Sequence, residues 1–132
     1  MAGWDKIARA NLNAAQSLNS GGGRSSPEES ARSVVSRSYY AAFSAVTYAL
    51  QGHVVYPQGR ETPGHGKVPF LMQKHLKQHF ADHRLRDLKA AVRRLYTARL
   101  DADYRSVISP GGLVGRDALR ASKVLKEMGV PE

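Results

Sequence analysis

Cysteine is missing from all 132 residues. No disulfide framework and no thiolate nucleophile can exist here, and the absence fits a reducing, intracellular setting. Long apolar runs are missing too. The most apolar stretch, Tyr39 to Leu50, is interrupted by Ser44 and Thr47 and is far shorter than a membrane span. The first six residues, Met1 to Lys6, hold no apolar signal core. The expectation is a soluble cytoplasmic protein that makes no membrane contact. Acidic residues are scarce: eleven Asp and Glu stand against twenty Lys and Arg, a net charge of +9. That balance suits a polyanionic partner such as nucleic acid, a nucleotide or an acidic protein, although it also serves solubility.

Several chemistries lack their residues. There is no Gly-x-Ser-x-Gly elbow for a serine nucleophile. The glycines at 21–23 follow no strand and precede no Gly-Lys-Ser/Thr, so they form no phosphate cradle. Asp101 and Asp103 lie two apart on a predicted helix and point different ways, unlike paired glycosidase carboxylates. His75 and His79 have the one-turn spacing of a helical metal pair. Leu76 follows His75, however, where a metalloprotease needs Glu, and no carboxylate cluster completes a site. They read as surface histidines, and neither metal nor cofactor is expected.

What is present is helical periodicity. A first helix is predicted over 3–18, with Trp4, Ile7, Ala8, Leu12, Ala15 and Leu18 at helical spacing. A glycine-rich loop follows. Ser26, Pro27 and Glu29 form a helix start, with Ser26 as cap, Pro27 at the first helical position and Glu29 closing a capping box. The second helix then runs to about Gln51, burying Ala31, Val35, Ala42, Phe43, Val46, Ala49 and Leu50, with Tyr39 on the flank. Arg37, Tyr40 and Ser44 fall on another of its faces, open to a partner or to water. The segment 52–66 is a long connection. A third helix is predicted over 67–81, its core side supplied by Phe70, Leu71, Leu76 and Phe80. A fourth, capped by Asp82, runs to about Val107. A last helix over 116–128 presents Ala118, Leu119, Ala121, Leu125 and Met128. With no convincing strand and no repeat, the fold class is all-α: one domain over 1–132, a bundle of four long helices plus a shorter fifth.

Charge is concentrated on the fourth helix and just before it. Eight Lys or Arg and only two acids lie between Lys74 and Arg99. Arg86, Lys89 and Arg93 share one face, and Tyr104 lies near the same azimuth; such a face suits phosphates and unstacked bases, or is simply solvated. Arg99 differs. It falls in the middle of the apolar stripe of Leu85, Leu88, Val92 and Leu95, where a guanidinium is costly unless something pairs with it. Asp103 is one turn on, at nearly the same azimuth. The two form a structural ion pair at the core edge, or they hold a cation toward a cleft or dimer interface for a phosphate.

Three blocks, in order, resemble a known family. The run Ser36-Arg37-Ser38-Tyr39-Tyr40-Ala41-Ala42-Phe43 resembles the Ser-Arg-x-Tyr-Tyr-Ala-x-Phe signature of small prokaryotic HEPN (higher eukaryotes and prokaryotes nucleotide-binding) domains. His65-Gly66-Lys67-Val68-Pro69-Phe70 is similar to the His-containing segment that opens their third helix. Leu95 through Tyr104 resembles their Leu-x-x-x-Arg-x-x-Ala-Asp-Tyr segment. The resemblance implies a HEPN-like helical bundle, commonly a homodimer, that binds RNA or a nucleotide and serves toxin–antitoxin or phage-defence systems. Members encoded beside a minimal nucleotidyltransferase have that protein as partner.

Many members are metal-independent endoribonucleases. Their motif is an Arg followed, after four to six residues, by a His: the His moves protons at the RNA 2′-hydroxyl and the Arg holds the phosphate. Arg99 matches the motif Arg. Tyr104 stands in the slot for His at the shortest spacing, and a phenol with pKa near 10 is a poorer base than imidazole. The expected site is therefore Arg99 with Asp103 as orienting partner and Tyr104 as phosphate contact or modified side chain. Arg86, Lys89, Arg93, Arg37 and Tyr40 are expected to bind RNA or phosphate. His65 is an accessory: Arg60 and His65 fit the bare spacing but lie in a Gly/Pro-rich loop, which reads as a chance match. The alternative is a non-catalytic helical module for dimerisation or protein interaction. A helix-turn-helix ranks below both, because no tight turn feeds a short recognition helix.

Overall fold

The computed structural model describes residues 3–19, 27–51, 53, 62–104 and 112–132; the side chains of 19, 27–30, 103–104 and 112–115 lie outside that description. The described elements are α1 (Trp4–Asn19), α2 (Pro27–Leu50), a 3-10 turn (His65–Lys67), α3 (Val68–Leu76), α4 (Asp82–Tyr104) and α5 (Gly112–Glu127). No strand occurs among the described residues, and no described helix is long and apolar enough to cross a membrane.

The bundle is built around α2, which packs against each of the other four helices. Its sequence explains why. From Tyr39 to Thr47 nearly every residue is small or apolar, and all except Tyr40 are buried. A helix apolar on every side belongs in the centre of a bundle. The expected division into a core face and an open face therefore does not hold: Ser44 is buried, its neighbour Thr47 is buried with Oγ1 donating to the Phe43 carbonyl at 2.9 Å, and Tyr39 is fully buried. Of the open face only Arg37 stays exposed and Tyr40 half-buried.

Two clusters make up the interior. The larger joins Leu12 of α1, Tyr39, Phe43 and Val46 of α2, Met72 of α3, Leu88 and Leu95 of α4, and Leu125 of α5. A smaller one, rich in alanine, brings Ala15, Ala31, Val34, Ala102 and Ala118 together, letting the helices approach closely. The α4 stripe of Leu85, Leu88, Val92 and Leu95 is buried as its spacing requires.

Local signals set several helix ends. Leu85 N–H donates to the Ala81 carbonyl at 3.0 Å, so Ala81 takes the cap position of α4 and Asp82 enters the first turn, where its charge complements the helix dipole. At the end of α5, Gly129 adopts φ of 78°. Val130 N–H reaches the Leu125 carbonyl (3.0 Å) and Gly129 N–H the Lys126 carbonyl (3.2 Å), a Schellman closure with Val130 and Leu125 both buried. The start of α2 at Ser26 lies outside the described residues, as does the end of the fourth helix beyond Tyr104.

Three further expectations are corrected. The short helix is the third: α3 has 9 residues against 16 in α5. After Leu76 the chain turns, with His79 N–H donating to the Leu76 carbonyl at 3.0 Å, and Phe80 lies beyond the helix. Phe70 is 65% exposed and Leu119 is 70% exposed, so neither belongs to the core. In α3 Leu76 is buried as expected and Leu71 is half-buried against the core, while Val68 and Met72 complete the buried side. A hydrophobic residue is placed by the face its helix turns inward, and nine residues are too few for periodicity to fix that face.

Leu95→Ala is expected to cost about 2–5 kcal/mol, as a fully buried leucine does, whereas Phe70→Ala and Leu119→Ala should stay within about 0.5 kcal/mol of wild type; urea midpoints at constant m-value check this. The Ser38 hydroxyl is buried and has no hydrogen-bond partner among the described residues, so Ser38→Ala should raise stability by about 1 kcal/mol in the same assay.

Candidate functional site

Arg99 ends the apolar stripe of α4, and the fold resolves its cost with aromatic faces. Its guanidinium carbon lies 5.5 Å from the ring centroid of Tyr39 and 5.1 Å from that of Tyr40. These consecutive α2 residues have rings 5.4 Å apart in an edge-to-face arrangement, so two negative π faces meet one cation. Each contact is worth about 0.5–2 kcal/mol, more where water is excluded.

His65 enters the same cluster from the 3-10 turn before α3. Tyr39 Oη and His65 Nδ1 are 2.5 Å apart. The imidazole lies 4.5 Å from the Phe43 ring and is stacked on Tyr96 of α4, with 6.2 Å between centroids and 10° between planes. His65 is thus no unanchored loop residue: a hydrogen bond and rings on two sides hold it. The reason is tertiary: Tyr39 is buried, its hydroxyl needs a partner, and the 65–67 turn supplies one. Arg60 lies outside the described residues; it is with Arg99 that His65 shares an environment.

Burial pushes the His65 pKa below its ordinary value, and the Arg99 charge pushes it further the same way. At neutral pH the imidazole is therefore unprotonated. Burial pushes the Tyr39 phenol well above its usual value near 10, against the opposing pull of Arg99. Tyr39 therefore remains a neutral phenol, able to give or to take a hydrogen bond, throughout the physiological range.

The other expected residues divide. Arg37 and Tyr40 line a surface groove of about 530 Å³ between α2 and the end of α4, together with Arg32, Ser33, Ser36 and Ala102. Arg86 and Arg93 are exposed on a different side of α4. Lys89 turns instead to α3, its Nζ donating to Gln73 Oε1 at 2.7 Å. Arg93 lines a second groove, of about 380 Å³, with Arg94 and Arg120 on its wall. Two carboxylates, Asp101 and Asp117, share that wall; Arg120 Nη1 donates to Asp117 Oδ1 at 2.8 Å. Burial raises the Asp117 pKa and Arg120 opposes the rise. Among the described residues that line it, the first groove has no carboxylate. The side chains of Asp103 and Tyr104 lie outside the described residues. No group of three or more metal-ligating side chains occurs among the described residues. His79 has the His53 ring 5.8 Å away, edge to face.

Tyr39, Phe43 and Tyr96 do not stand out as site residues in the sequence, yet they build the cluster. Two signals point to them: adjacent tyrosines on an otherwise alanine-rich helix, and Tyr96 within three residues of Arg99. Comparison with protein-family models, with curated proteins and with solved structures returned no match.

The lowered pKa of His65 has a linkage consequence. The folded state binds the His65 proton less readily than the unfolded chain does, so this group's contribution to stability is complete above pH of about 6.5 and is lost as pH falls through the folded value. The C–H resonances of His65 should titrate below the ordinary histidine range by NMR, and Arg99→Ala should move that titration upward. A midpoint unchanged by Arg99→Ala would separate the two residues.

Proposed function

We propose that this chain is an RNA-binding protein of the HEPN type, of toxin–antitoxin or phage-defence character, and that Arg99 and His65 together form a metal-independent RNA-cleaving site. The observation that carries the reading is their convergence: one cation and one neutral imidazole, from elements far apart in the chain, meet on the rings of Tyr39 and Tyr40. The resemblance of three sequence blocks supports it, since each block contributes to this one cluster: Tyr39 and Tyr40 from the first, His65 from the second, Arg99 from the third. The missing histidine at position 104 is then supplied from another element.

The chemistry available to such a pair is transesterification. With the Nδ1 proton donated to Tyr39 Oη, His65 Nε2 carries the lone pair and accepts the proton of a ribose 2′-hydroxyl. The 2′-oxygen attacks the adjacent phosphorus, the bond to the 5′-oxygen breaks, and one proton is returned to that leaving oxygen. The products are a 2′,3′-cyclic phosphate and a 5′-hydroxyl; no water is consumed. Arg99 opposes the charge that builds on the phosphoryl oxygens. Burial and the Arg99 charge keep His65 in its basic form at neutral pH, which fits a general base and not an acid. A homodimer and a nucleotidyltransferase-type partner belong to the same proposal through the resemblance alone.

Purified protein incubated with total RNA in EDTA should cleave it, leaving cyclic phosphate ends. Arg99→Ala and His65→Asn should each lower the rate by about 10²–10³-fold with circular dichroism unchanged. The acid limb of the kcat/KM profile should have its midpoint below the ordinary histidine value, because burial and Arg99 lower the His65 pKa. Cleavage that survives both substitutions would remove the site, and salt-sensitive binding without cleavage would reduce the protein to an RNA-binding module.

A further inference from the structure

We infer that the outward face of α3, with the Phe70 ring at its centre and Lys67, Lys74 and Lys77 around it, stacks an unpaired base of single-stranded RNA and holds the phosphates beside that base. The choice of RNA as polymer rests on the proposed function; the place and manner of holding it do not.

The face follows from helical geometry. Lys67 is the N-cap of α3 and Lys77 its C-cap, both with helical backbone angles. At about 100° per residue, Lys67, Phe70, Lys74 and Lys77 share an arc of about 80°, opposite the buried side of Val68, Met72 and Leu76. All four are exposed, Phe70 by 65%. Burial of the inner side and the bond from Lys89 Nζ to Gln73 Oε1 fix the helix in this rotation.

A single exposed apolar side chain is ordinary. This one is ringed by three ammoniums, none of which has an ion pair among the described residues. An aromatic ring flanked by cations is complementary to an unpaired nucleotide: the base lies on the ring and its phosphates meet the charges. A duplex keeps its base faces inside and offers none to the ring. An anionic membrane is drawn by the same charges, but its hold grows with the apolar area buried, and this face offers one ring. The face also adjoins the proposed site, because Lys67 closes the 3-10 turn that His65 opens.

The chain carries its own control. On α5, Arg116, Leu119, Lys123 and Lys126 repeat the same spacing and are all exposed, Leu119 by 70%. The charge is equal and the ring is missing. Leucine has no π face, so α5 attracts a backbone without stacking a base.

The probe is a 2′-O-methyl oligouridylate of roughly 8 nucleotides, within single-strand site sizes; without a free 2′-hydroxyl it binds but cannot be cleaved. An abasic oligomer of equal length and charge is measured beside it, both by fluorescence anisotropy over a salt series. Phe70→Leu should lose about tenfold in affinity for the base-bearing probe, with its salt slope and the abasic affinity unchanged. Phe70→Trp should bind at least as tightly as wild type. Lys74→Gln with Lys77→Gln should flatten the slope by about 1.4 for both probes, two phosphates at roughly 0.7 each. The α5 pair Lys123→Gln with Lys126→Gln should cost about twofold, a long-range effect of charge alone. All these positions are exposed, and circular dichroism checks that the fold is kept.

No binding by wild type, equal loss for both probes in Phe70→Leu, or equal loss in the α3 and α5 lysine pairs would each overturn the inference. So would binding to phosphatidylserine vesicles by a wild type that ignores the oligomer. Cleavage is read separately with unmodified RNA. Base-dependent binding that Phe70→Leu removes, with no cleavage by wild type, keeps the α3 face and removes the catalytic reading. Cleavage by wild type with normal binding by Phe70→Leu removes the α3 face alone.

Discussion

A guanidinium placed at the end of an apolar stripe has to be accommodated, and the structure around Arg99 follows from how that is done. The fold brings Tyr39 and Tyr40 to Arg99, so the charge rests on ring faces and retains its field. That field then acts on neighbours. It pulls on the Tyr39 phenol against the effect of burial and adds to the burial that keeps His65 neutral. One cation thus bears on the protonation of the two groups best placed for proton chemistry.

The position of α2 makes this possible. As the central helix it touches all the others, so a residue on its surface can serve as a wall for elements that never meet in sequence. Tyr39 faces α4 and the 65–67 turn together, and its hydroxyl at 2.5 Å from His65 Nδ1 joins the two. Tyr40, one position on, is only half-buried and leads outward to the groove of Arg32 and Arg37. Burial and exposure of adjacent tyrosines give the cluster an inner, structural side and an outer side that a ligand can reach. Twenty Lys and Arg against eleven Asp and Glu surround the cluster with a net charge of +9 over the chain.

Parts of this are legible in the residues. The five helices follow from period and punctuation, and the α4 stripe is readable to the residue because 23 residues sample every azimuth several times. Arg99 stands out because it breaks that stripe. Other features are not readable. Phe70 looks like core in a list of apolar residues, yet nine residues of α3 leave its facing ambiguous, and it lies in solvent. Ser44 looks like part of an open face because polarity suggests water; in a central helix it is enclosed, and so is Thr47, which satisfies its own hydroxyl by donating to Phe43. Lys89 shows no inter-helix partner in sequence, yet its ammonium donates to Gln73 of α3.

The residues by themselves determined the all-helical class, most helix limits and the inward azimuth of Arg99, because these depend on interactions within a few turns of one segment. Tertiary structure decided what meets Arg99. Azimuth along one helix says which way a side chain points but not what faces it, and the facing groups came from positions 39, 40 and 65. His65 shows the difference most clearly: in sequence it is one residue in a Gly/Pro-rich connection, and only packing against a buried tyrosine gives its ring a fixed place and a lowered pKa.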